Sequence, residues 1–156
     1  SRRDWKNACK DHVMTNWNVL VQREQIARDR EGKKLGELMS RRSEYSELRT
    51  KTQAILTQYE EQLKEAHSQS RSIADTRLYR VSIAQMRNAL EQLDGQIYQL
   101  NGQINRVRLV LGQIERERQK YQLLVEQDVE ARRIEVARDD ARILDDFSIQ
   151  RFNQHH

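Results

Sequence analysis

Four histidines, a single cysteine and two adjacent carboxylate pairs are the residues of this chain most able to do chemistry. His12, His67, His155 and His156 are scattered, and none stands at HExxH or Cys/His spacing, so no metal site is expected. Cys9 has no second cysteine to pair with; an intramolecular disulfide is excluded, which suits a reducing compartment. Asp139-Asp140 and Asp145-Asp146 are neighbours in sequence, so on a helix their side chains diverge by about 100°. They read as surface charge rather than as a general acid and base. The five glycines stand singly within helical patterns and make no phosphate-cradling loop. Neither catalysis nor a cofactor is expected. His155-His156 reads equally well as the end of an affinity tag or as a native ending.

The elements that would carry these residues are long helices. Of 156 residues, 33% are charged, 37% hydrophobic and 6% aromatic, and none is proline. A globular domain of this length normally places several prolines in its turns. Here Gln, Glu, Arg, Leu and Ala dominate, all good helix formers. The apolar share supports a narrow seam better than a thick core, and predicts a rod. The net charge of +4 is half accounted for by the first thirteen residues, where Arg2, Arg3, Lys6 and Lys10 outnumber Asp4 and Asp11. Elsewhere both signs mix closely, as on a solvated helix exterior. A nucleic-acid partner, which would favour a clustered basic face, is not expected. The longest apolar runs, Val19-Leu20-Val21 and Leu109-Val110-Leu111, are too short to span a membrane. No signal-peptide pattern opens the chain, and a cytoplasmic protein is expected.

The strongest pattern is a 4-3 spacing through Tyr79, Ile83, Met86, Leu90, Leu93, Ile97, Leu100, Ile104, Val107, Leu111, Ile114, Arg118, Tyr121 and Val125. An average step of 3.5 keeps one stripe against a partner helix as the two supercoil. Only Arg118 breaks its apolar character. The first half carries a weaker version: Leu38, Tyr45, Thr52, Tyr59 and Ala66 are seven apart, with Leu48, Ile55, Leu56 and Leu63 between. Leu20, Ile26 and Leu35 extend it less regularly. The tyrosines on these stripes read as seam packing, and Trp17 as a partner contact near the open end.

Between the patterns, residues 67–72 are polar, and Ser72 followed by Asp75 has capping-box spacing. Two helices joined by so short a turn run antiparallel, with residue 38 facing about 101 and residue 14 facing about 125. The predicted fold is therefore all-α: a long antiparallel two-helix coiled-coil hairpin whose second helix is the longer. Residues 1–13 form an extension or added segment, 14–67 the first helix, 68–72 the turn, 73–152 the second helix and 153–156 a tail. A parallel dimer of straight helices is the competing arrangement. Residues beyond about 126 outrun the first helix unless residues 1–13 prolong it. They hold Val129, Ile134, Ala137, Ala141, Leu144 and Phe147, a face open to a binding partner or to self-association.

The chain resembles the small coiled-coil stalk proteins of type III export, the flagellar FliJ and injectisome YscO group. Three stretches carry the likeness: LVQREQIARDREGKKL over 20–35; LTQYEEQL over 56–63, a polar turn and then LYRVSIAQM over 78–86; and ARILDDFSIQR over 141–151. The ending, Leu144-Asp145-Asp146-Phe147 with Arg151 four residues on, favours the flagellar branch. Members usually begin close to the first helix; Met14-Thr15-Asn16 fits such a start.

The resemblance implies a stalk that enters a hexameric export ATPase with both chain ends, promotes its assembly and activity, and links it to a membrane export gate protein. Leu20, Arg23, Ile26, Leu144, Asp146, Phe147 and Arg151 become ATPase contacts. Leu56, Tyr59, Leu63, Ile83, Met86 and Ala89 become gate contacts, although Tyr59 and Met86 also fit the seam, where packing is the simpler role. Export chaperones are further partners. No cofactor belongs to the chain and no membrane insertion is implied; it would lie at the cytoplasmic face of the membrane through the export apparatus. The injectisome counterpart of the same stalk, a general coiled-coil scaffold and an export chaperone are the alternative functions.

Overall fold

A computed structural model of the chain describes residues 2–69 and 72–154, with side chains from Trp17 onward. Two helices account for it: α1 (Arg2–Ser68) and α2 (Ile73–Gln154). They have 67 and 82 residues, so the second is the longer, as the pattern predicts. α1 reaches back to Arg2, the prolongation that the length argument left open. Ser70, Arg71, His155 and His156 lie outside the described residues, as do the side chains of Trp5, Cys9 and His12. The chain divides into two compact units, one of residues 30–111 and one of residues 1–29 with 112–156.

In the unit of residues 30–111 the two helices pair antiparallel. α1 ends with the Ser68 hydroxyl on the Glu65 carbonyl at 2.8 Å and the Gln69 amide on the same oxygen at 3.0 Å. α2 opens on Ser72, whose Oγ accepts the Asp75 amide at 3.3 Å. That is the N-cap bond the spacing predicts, satisfying an amide that a helix start would leave unpaired. Asp75 adds a carboxylate where the helix dipole favours one. The core is the seam: Leu56, Ala66, Ile83, Leu90, Leu93, Leu100, Ile104 and Val107 are buried. Leu56, Ile83 and Leu90 form one cluster, with Tyr59, Leu63 and Met86 packed against it. Tyr59 and Tyr79 meet across the helices, ring centres 5.9 Å apart and tilted by 57°.

Every member of the stripe on α2 from Tyr79 to Val125 is buried or half-buried. On α1 the alternate positions differ from expectation. Leu48 and Ile55 are 49% and 48% exposed, while Arg42 and Arg49 take the half-buried places. Their long aliphatic stems can cover the seam while the guanidinium reaches its edge. Arg42 Nη1 donates to Asn101 Oδ1 at 3.1 Å; Arg49 forks onto Asp94, Nη2 donating to Oδ2 at 3.4 Å. Nearer the turn, Arg87 Nη2 donates to Glu60 Oε1 at 2.8 Å. Arg42 thus reaches Asn101 from one helical turn beyond residue 38, while the Tyr59–Tyr79 contact lies within a residue of the expected pairing.

In the unit of both chain ends, Trp17 stacks on Tyr121, ring centres 6.0 Å apart and 25° from parallel. This lies within a residue of the expected register, and it gives the Trp17 ring an intramolecular partner where a partner protein was expected. Arg118, the one charged residue on the apolar stripe, donates through Nε and Nη2 to Glu115 at 3.1 and 2.8 Å. Gln119 Nε2 adds a third donor at 3.2 Å and Arg28 lies 3.9 Å away on α1. A bidentate, charge-assisted pair one turn away is what allows a guanidinium at the seam.

Candidate functional site

A coiled coil offers surfaces rather than clefts, so the candidate site is found by asking where the apolar pattern stops serving the seam. On α2 the 4-3 rhythm runs through Tyr121, Val125 and Asp128, all half-buried. Continued, it falls on Arg132, Glu135, Asp139, Arg142 and Asp146, five charged residues. The apolar residues have moved to another line. Leu144 follows Arg142 by two positions, about 160° round the helix. The seam's chemistry therefore ends near Asp128, and a new apolar face begins on a different side.

That face is exposed: Ile143 61%, Leu144 68% and Phe147 68%. Asp146 and Arg151 are exposed beside it, and the Arg142–Asp139 pair at 3.7 Å flanks it. Large apolar side chains ringed by charge in this way mark a protein-binding surface more often than solvent decoration. Sequence reasoning named Leu144 and Phe147 but passed over Ile143. The signal was available in Val136, Ile143 and Phe147, seven and four residues apart and out of phase with the seam.

The remaining residues of the expected ATPase set lie on α1 in the same unit. Leu20 is half-buried; Arg23 is exposed, its Nη2 donating to Glu24 Oε1 at 3.2 Å; Ile26 is 60% exposed. Trp17 against Tyr121 and Arg28 against Glu115 bracket this stretch. At about 1.5 Å per residue, Leu144 lies some 35–45 Å further along α2 than those contacts. The unit therefore presents two patches rather than one pocket.

The expected gate set is brought together in the other unit, but as packing. Leu56 and Ile83 are 5% exposed, Tyr59, Leu63 and Met86 pack on them, and Ala89 is half-buried. Exposed apolar side chains in the same stretches of the two helices include Ile55, Leu78 and Val81, at 48%, 69% and 48%.

Electrostatics add no reactive group. Glu115 is held down to about 2 by hydrogen bonds from Arg118, with Gln119 and Arg28 adding to them, and Asp94 is lowered chiefly by its hydrogen bond from Arg49. Both shifts favour the charged carboxylate, as structural ion pairs do. Among the described residues no group of three His, Cys, Asp or Glu side chains could hold a metal ion. No helix among them is long and apolar enough to cross a membrane.

Comparison with known proteins gives one result. The family described as the flagellar FliJ protein matches residues 18–156. No curated protein and no solved structure matches the chain.

Proposed function

Because this chain belongs to the flagellar FliJ protein family, we propose that it is the central stalk of the flagellar type III export ATPase, a non-catalytic cytoplasmic protein seated in a hexameric ring. The observation that carries this reading is the exposed Ile143, Leu144 and Phe147 face in the unit that holds both chain ends. In such a ring this face supplies large apolar anchors with charged neighbours at its rim. Arg23 and Ile26 form a second contact further along. A single stalk meets only some of six equivalent subunits strongly at one time. Its differential contacts bias their conformations unequally, which promotes hexamer assembly and stimulates hydrolysis. Nucleotide belongs to the ring.

The unit containing the turn would face the export gate. Leu56, Tyr59, Leu63, Ile83 and Met86 hold the two helices together there, and Ala89 with exposed Leu78 and Ile55 supplies the contact. The same exposed face at the end of α2 supports a second reading, an escort for export chaperones; their retention on the immobilised protein would favour it.

The test is turnover and oligomer size of the purified export ATPase with and without this protein. Stimulation and hexamer formation are expected. The double substitution Leu144→Ala with Phe147→Ala should abolish both while leaving helicity unchanged, since the two side chains are 68% exposed. Unchanged turnover and unchanged oligomer size on adding the wild-type protein would refute the stalk role.

A further inference from the structure

One face of α2 serves neither the seam nor the proposed ring contact. In a chain that is one-third charged, residues 95–105 carry no charge at all. Its seam members, Ile97, Leu100 and Ile104, face α1 and are half-buried or buried. On the opposite side, roughly 150° away at 3.5 residues per turn, lies the line Gly95, Tyr98, Gly102. Tyr98 is 81% exposed. Gly102 leaves a dent beside it, and the dent's far wall is Arg106, whose Nε donates to the Gly102 carbonyl at 3.4 Å. A side-chain carbon at Gly102 would come no nearer than 3.9 Å to that guanidinium, and one at Gly95 would meet nothing within 4 Å. The glycines are not required by crowding within the chain, and each costs about 1 kcal/mol of helix propensity.

The charges flanking this stretch are asymmetric. Glu91 stands on its amino-terminal side, and Arg106 and Arg108 on its carboxy-terminal side. Glu91 and Arg108 are exposed and make no ion pair among the described residues. A surface with an acidic end, a neutral middle and a basic end complements itself when turned by 180°. In an isologous pair each residue meets its counterpart reciprocally, and an antiparallel copy centred near residue 100 does this. Tyr98 of one copy then enters the dent at Gly102 of the other, against the Arg106 guanidinium in cation–π geometry. The Glu91 end of each copy comes to the Arg108 end of its mate.

We propose that two copies of this chain pair antiparallel through the Tyr98–Gly102 face of α2. The patch is short, so the dimer is a transient one.

Sedimentation equilibrium of the full chain over a concentration series tests this. The average mass should rise toward twice the protomer value, and Tyr98→Glu should hold it at the protomer value with helicity unchanged. Glu91→Arg and Arg108→Glu should each weaken pairing at least tenfold, because each sets like charges together at both ends. Combined in one chain, they should restore it. A protomer mass held up to about 1 mM, where a dimer of even millimolar affinity would already show, would overturn the proposal. So would pairing indifferent to Tyr98→Glu, or a double variant no better than the singles.

Discussion

At the scale of single residues, the seam separates side chains that hold the molecule from those that are free to bind. Ile104 is 1% exposed, and Ile104→Ala should cost about 2–5 kcal/mol in urea unfolding. Equivalent truncation of exposed Leu144 should leave the transition in place. Glu115 gives a pH signature. Its pKa falls from 4.5 to about 2 on folding, so its contribution is complete above about pH 4.5 and is lost as pH falls toward 2. The melting temperature should therefore drop over that window, and Glu115→Gln should flatten the drop. Residue roles were only partly legible in the sequence. Leu56 and Ile55 are adjacent and both apolar, and nothing in their types tells which is 5% and which 48% exposed. Arg42 and Arg49 were hidden because charged residues at a seam look like interruptions until their partners, Asn101 and Asp94, are seen across it.

At the scale of elements, α2 was nearly transparent and α1 was not. The stripe on α2 from Tyr79 to Val125 holds its 4-3 rhythm in structure as in sequence. On α1 the half-buried line Trp17, Leu20, Glu24, Ala27 steps by three and four until Ala27, Glu31 and Leu35, where two steps of four follow each other. An inserted step of this kind is a stutter, which shifts the phase of the seam. That shift explains why Leu20, Ile26 and Leu35 look irregular on a strict heptad, and why Ile26 falls outside the seam. Gly32 and Gly36 lie beside the stutter, and a methyl group at either would meet nothing within 4 Å. Gly36→Ala should therefore raise stability by about 0.5–1 kcal/mol in thermal or urea unfolding. The Ser72 cap was legible because its chemistry is local: a hydroxyl three residues before an acidic residue at the start of an apolar rhythm.

At the scale of the whole molecule, the absence of proline and the thin apolar fraction are enough to predict long paired helices. The division into two units left no mark in composition, since each helix runs through it with its rhythm largely kept. The partner is the least legible feature, because a surface is recognised by what leaves the seam, and that is known only once the seam is placed. The central claim is that the unit with both chain ends seats against the ATPase ring. Site-specific photocrosslinking to the purified hexamer tests it directly, with a photoreactive residue in place of Phe147 in one chain and of Leu78 in another. Crosslinks to the ATPase from position 147 and none from position 78 are predicted. Crosslinks from position 78 alone, or from neither, would contradict the account.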